Sequence, residues 1–158
     1  MTGMTPPPKN TYCVIVTGSR DWPDPATVAD MIRAAADYWG PSLTVMHGAC
    51  PSGADHHADM ACKQLGIAVE RHPADWERYG KSAGPRRNQH MVDLGADLVL
   101  AFPLPQEWGP SRGTEHCMRV AREAGIIVWT FGPNTCRHGR DEHEPCLDCH
   151  PLAEQQLL

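Results

Sequence analysis

Four segments of this chain combine glycine, hydroxyl and cationic residues in patterns suited to holding an anion. Gly18-Ser19-Arg20 offers backbone that can approach a ligand closely, a hydroxyl, and a guanidinium able to fork onto a phosphate or carboxylate. Gly48-Ala49-Cys50-Pro51-Ser52-Gly53-Ala54-Asp55 is rich in small residues. Its position before a helical pattern would expose backbone N–H groups where negative charge is favoured. Lys81-Ser82-Ala83-Gly84-Pro85-Arg86-Arg87-Asn88 reads as a basic helix start; cations there oppose the macrodipole, so they call for an anionic partner. Arg112-Gly113-Thr114 closes a loop and opens another helix, with Thr114 as a hydroxyl donor to ligand or as an N-cap. Asp55 falls in a first helical turn, where it can accept from ribose hydroxyls or simply complement the dipole. Cys50 as a nucleophile would need a base, and His47, His56 and His57 are the histidines near it in sequence.

A second chemistry is written in the C-terminal segment. Cys136-x-His138 followed by Cys146-x-x-Cys149 has the spacing of a small zinc knuckle or ribbon, with His143 and His150 as substitute ligands. So few apolar residues surround these ligands that metal would supply the stabilisation. Four protein ligands leave no open position, so the expected zinc is structural.

Positioning the anion-type segments requires strands that end where those segments begin. Apolar, β-branched runs at 12–17, 43–47, 97–102 and 126–131, with a weaker one at 67–72, read as about five strands. Helical spacing occupies the intervals at 25–39 and 52–65, from Pro85 onward, and at 114–124. Asp24 before Pro25 is the expected N-cap of the first helix, and Gly66 stops the second. Val28, Met31, Ile32, Ala35 and Tyr38/Trp39 fall at helical spacing in the first helix, Ala54, Ala58, Ala61, Cys62 and Leu65 on one face of the second, and Met91, Val92 and Leu94 towards the core in the third. Strands alternating with helices imply an α/β, Rossmann-like, doubly wound and mainly parallel sheet flanked by helices. In such sheets ligands sit at the carboxyl ends of the strands, the edge to which all four segments map. The expected organisation is a lead at 1–10, one nucleotide-binding domain at 11–132, and the Cys/His-rich tail at 133–158.

Composition narrows the partners. A formal net charge of −5 argues against general affinity for duplex nucleic acid, yet Arg20, Lys81, Arg86, Arg87 and Arg112 map to one edge, making a local positive cleft for a small anion. No apolar run approaches the roughly 20 residues that span a membrane, and the opening residues carry no secretory pattern, so the expected location is the cytoplasm. There, seven cysteines would be reduced or bound to metal. Trp76, Tyr79 and Trp108 could stack single-stranded nucleic acid if exposed; packing beneath the loop is the expected role.

The combination of strand-GSR, HGACPSGAD, ADWERYGKSAGPRRNQHM and SRGTEH resembles the SLOG superfamily, specifically its small YpsA-related branch, over about residues 12–132. The superfamily also holds the LOG cytokinin-activating phosphoribohydrolases and the DprA-type single-strand DNA-binding proteins. The resemblance implies a Rossmann-like fold, binding of a nucleotide or nucleotide derivative, and self-association. By position it assigns ligand contacts to Gly18, Ser19, Arg20, Gly48, Gly53, Asp55, Arg87, Asn88, Gly113 and Thr114. LOG enzymes carry a catalytic glutamate three residues after the threonine, and this chain has Cys117 there. Binding or sensing is therefore the first expectation. Cleavage of an N-glycosidic bond is the alternative, with Arg87 orienting the ligand and Asp55 or Glu115 stabilising an oxocarbenium-like centre or activating water.

Overall fold

The computed structural model of the protein describes residues 10–133. Its centre is built from the two most apolar runs. β1 (Tyr12–Gly18) and β4 (Leu98–Phe102) lie side by side, with Val14 opposite Leu98 and Val16 opposite Leu100, and all five residues of β4 are buried. β2 (Leu43–His47) flanks β1, while β3 (Ala68–Arg71) and β5 (Val128–Thr130) form the edges. The order is β3-β2-β1-β4-β5 and every pairing is parallel, the Rossmann-like α/β arrangement expected.

Alternation along the strands divides the core between two helical layers. Val14 and Val16 pack with Val28 and Ile32 of α1 (Pro25–Trp39) and with Ala54, Ala58 and Cys62 of α2 (Gly53–Leu65). Ile15 points the other way, against Met91 and Val92 of α4 (Ala83–Leu94) and Cys117, Val120 and Ala121 of α5 (Arg112–Glu123). The single turn α3 (Trp76–Tyr79) lies between β3 and α4, in a stretch whose sequence reads as irregular.

The entry to α1 fixes the loop that leaves β1. Asp24 caps the helix as expected: its Oδ1 accepts from the Thr27 N–H at 3.1 Å, and its Oδ2 from the Thr27 hydroxyl. The Asp24 carbonyl accepts from Trp22 Nε1 at 2.7 Å, and the buried Trp22 ring meets Phe102 edge-on at 5.3 Å. Gly18-Ser19-Arg20 is thus held between a strand end and a capped, anchored turn.

Several boundaries and orientations differ from the sequence expectation. α4 starts two residues before Pro85, which sits in the first turn, where its missing N–H costs no helical bond. α5 begins at Arg112 rather than Thr114, and β5 is only three residues long. Leu94, Tyr38 and Leu65 are exposed rather than core-facing, at 52%, 47% and 38%, and each lies in the last turn of its helix. Among the described residues no helix is long and apolar enough to cross a membrane.

Candidate functional site

The chain leaves β1 toward β2 and β3, then returns past β1 to β4, so the strand order reverses between β1 and β4. At that point, above the carboxyl ends of the strands, lies a cleft with a cavity volume of about 420 Å³. This is within the range of small-molecule sites, roughly 300–1,000 Å³.

The β1 loop is pinned by backbone bonds. Ser19 N–H donates to the Phe102 carbonyl at 3.1 Å, and the Ser19 carbonyl accepts from the Ala54 N–H at 3.1 Å and the Trp22 N–H at 3.3 Å. Its Oγ accepts from the Asp21 N–H at 3.1 Å, so Ser19 builds the loop as well as lining the cleft. Gly53 lets α2 begin directly against this loop: its φ is +70°, and a Cβ would run into the Ser19 carbonyl and the Arg20 backbone.

The β2 loop is pinned by His47. This buried ring accepts at Nδ1 from the Ala49 N–H at 3.0 Å, holding Ala49 at a φ of 57°, and its Nε2 meets Asp59 Oδ1 at 3.0 Å. Asp59 is in turn held below the ordinary carboxylate range, chiefly by its hydrogen bond from Arg71 at 2.7 Å. With both nitrogens engaged, His47 cannot serve Cys50 as a base. His57 Nε2 is on the Trp22 carbonyl at 3.1 Å, and His56 is exposed. Burial, and after it the neighbouring Asp55, push the Cys50 thiol up, the opposite of what a nucleophile needs. Asp55 is itself buried, accepting from the Cys50 N–H at 3.3 Å, and lines the cleft.

α4 supplies a connected polar group. Arg87 donates from Nη1 to the carbonyls of Gly48 at 2.5 Å and His72 at 3.1 Å, and from Nε to Asn88 Oδ1 at 2.9 Å. One guanidinium thus ties the ends of β2 and β3 to α4. Its Nη2 has no protein acceptor among the described residues. The bond from Arg87 fixes the Asn88 amide, so Nδ2 is the donor to the Gly113 carbonyl at 3.0 Å and to His116 Nδ1 at 3.4 Å. His116 then carries its proton on Nε2. Burial, followed by Arg119, holds its pKa below the usual histidine value, which keeps the ring neutral at pH 7.

α5 offers the clearest anion position. Ser111 precedes the helix but turns its Oγ to accept from the Leu104 N–H at 3.0 Å, so it does not cap the helix. Its carbonyl takes the Glu115 N–H at 2.9 Å. The N–H groups of Gly113 and Thr114, and the hydroxyl of the buried Thr114, have no protein partner among the described residues. Three donors without a protein partner are therefore grouped at the start of a 12-residue helix.

The cleft lining holds Gly18, Ser19, Arg20, Gly48, Asp55, Lys81, Arg87, Asn88, Arg112, Gly113 and Thr114 of the residues expected from sequence. It does not include Ser52, Gly53, Arg86 or Glu115. Arg86 bonds Ser82 Oγ at 3.2 Å and lies over the Tyr79 ring at 4.5 Å; Glu115 is exposed. Cys117 is fully buried, and burial pushes its thiol up to about 11, so it is a neutral packing group. Four cations, Arg20, Lys81, Arg87 and Arg112, face two carboxylates, Asp21 and Asp55, making a net positive lining in a chain of net charge −5. Sequence reasoning did not single out Thr17, Asp21, Ser111 or His116. His116 had a signal, four residues after Arg112 and so on the same helical face. Trp76 lines the cleft at 49% exposure instead of packing beneath the loop.

The expected zinc ligands Cys136, His138, Cys146 and Cys149, with His143 and His150, lie outside the described residues. Among the described residues no group of three or more His, Cys, Asp or Glu side chains could hold a metal.

The model of the YspA, cpYpsA-related SLOG family matches residues 12–79, which include the first two glycine loops and Trp76. The chain is also 46% identical over 124 residues to the Gene 61 protein of Mycobacterium phage D29, covering 75% of this chain and 95% of that relative. That alignment is too long to be confined to the part matched by the family model.

Proposed function

The chain belongs to the YspA, cpYpsA-related SLOG family, and from that premise we propose that it binds or senses a phosphate-bearing, nucleotide-derived small molecule in the cleft between β1 and β4. The observation that carries this reading is the α5 start. Buried polar groups are normally hydrogen-bonded, and the Thr114 hydroxyl with the Gly113 and Thr114 N–H groups is arranged as a phosphate would require. Arg20, Lys81 and Arg112 add charge around it, while Asp55 suits ribose hydroxyls. A cleft with so small a positive excess fits a compact anion better than a polyanionic strand.

Cleavage of an N-glycosidic bond is the second reading, and Asp55, a buried carboxylate inside the cleft, is what favours it. Against it, the position of the LOG glutamate holds the neutral Cys117 thiol, and Glu115 stands outside the cleft. Structural zinc on Cys136, His138, Cys146 and Cys149 and self-association complete the proposal; they rest on ligand spacing and family resemblance respectively.

Thr114→Val tests the phosphate position directly. Removing a buried hydroxyl that has no protein partner should leave the unfolding free energy unchanged or raised by about 1 kcal/mol. The same change should weaken adenosine 5′-monophosphate about tenfold or more, since hydrogen bonds to charged groups contribute about 1.5–3 kcal/mol. Denaturant unfolding and calorimetric titration read the two effects. Unchanged affinity, or a large loss of stability, would contradict the assignment.

A further inference from the structure

Trp76 has no place in the core of this protein. It belongs to neither hydrophobic cluster, stands 49% exposed at the cleft, and its indole N–H makes no hydrogen bond among the described residues. By contrast Trp22, in the same layer of loops, is 2% exposed and bonded. An aromatic ring left half in water beside a polar cleft is not explained by folding.

Its position is nevertheless well defined. The Asp75 side chain caps the turn that carries it, accepting from the Arg78 N–H at 3.1 Å. One edge of the ring lies against the start of α4, where a Cβ on Gly84 would sit only 3.3 Å from Cη2. The Arg20 guanidinium lies over the ring, 5.5 Å from its centroid. A ring so held, lining the same cleft as Gly113 and Thr114, presents a flat π surface to a ligand that reaches their donors.

We propose that Trp76, with Arg20, is the platform on which an aromatic base of the ligand stacks, so that the ligand class is a nucleoside phosphate rather than a sugar phosphate. This rests on the phosphate reading above and adds the base to it. Stacking of a base on an aromatic ring tolerates every base, since each has a π face, so the platform sets the ligand class and leaves base identity to other contacts.

The experiment titrates the full chain with adenosine 5′-monophosphate and, separately, ribose 5-phosphate, in wild type, Trp76→Ala, Trp76→Phe and Gly84→Ala. The nucleotide should bind wild type more tightly than the sugar phosphate. Trp76→Ala should weaken the nucleotide about tenfold or more, Trp76→Phe should restore most of that loss, and Gly84→Ala should weaken it by displacing the ring. Ribose 5-phosphate should bind all four proteins alike. Equal wild-type affinity for the two ligands, or equal weakening of both by Trp76→Ala, would overturn the platform and leave the phosphate site standing. Failure of wild type to bind either compound would overturn both.

Discussion

Gly53→Ala is expected to lower the unfolding free energy by about 2–6 kcal/mol. Two separate effects add. The residue sits at a φ of +70°, where an L side chain costs on the order of 1–3 kcal/mol. Its Cβ would also meet the Ser19 carbonyl and the Arg20 backbone, and forcing atoms into filled space costs about 1–3 kcal/mol more. The obstacle is backbone, which cannot swing aside as a long side chain would. Relief requires the β1 loop to part from α2, breaking the 3.1 Å bond from the Ala54 N–H to the Ser19 carbonyl. Because that loop forms one wall of the cleft, ligand affinity should fall with stability. Gly113→Ala is the control, since nothing lies within 4 Å of its Cβ position, and its stability should shift by no more than about 0.5 kcal/mol. Denaturant titrations followed by circular dichroism compare the two; a Gly53→Ala loss as small as that of the control would contradict this account of the loop junction.

Arg87→Ala carries the largest expected effect on binding. It removes a cation from the cleft and leaves the carbonyls of Gly48 and His72, and the Asn88 amide, without their donor. Nucleotide affinity should fall about 10- to 100-fold, the range of a lost charge-assisted hydrogen bond, and stability by about 1–3 kcal/mol. Arg87→Lys should recover little of either. A lysine ammonium is a point charge that cannot reach two carbonyls and an amide in fixed fork geometry. Calorimetric titration with adenosine 5′-monophosphate, beside denaturant unfolding, separates the two losses. A folded Arg87→Ala protein of wild-type affinity would remove Arg87 from the binding account.

The central layer was legible because its signals are local. β1 and β4 are continuous apolar runs, Asp24 before Pro25 carries its own capping chemistry, and strand–helix alternation leaves few parallel arrangements. The glycine and hydroxyl loops could be placed at one edge because every strand of a parallel sheet ends there. What escaped depends on contacts distant in sequence. Arg87 reads as a free cation, yet its partners are 39 and 15 residues away. Leu94 and Trp129 have core-type side chains but are exposed, Leu94 as the last residue of its helix and Trp129 on an edge strand. Trp76 looks like a loop anchor until the approach of α4 at Gly84 sets its ring against the cleft. His116 gains its role from Asn88, 28 residues earlier, whose own orientation comes from Arg87. Local patterns therefore gave the edge at which chemistry is possible, while side-chain duties within it were decided by tertiary hydrogen bonds.

In the proposed function the β1–β4 cleft holds a nucleoside phosphate intact. Titrating the zinc-replete wild-type protein with adenosine 5′-monophosphate at low and raised salt, then chromatographing the recovered ligand, tests this. Saturable binding that weakens as salt rises is expected, with the nucleotide recovered unchanged. Folded protein that binds no member of a nucleoside-phosphate panel would contradict the site, and release of free base would contradict binding without cleavage and assign the cleft to hydrolysis.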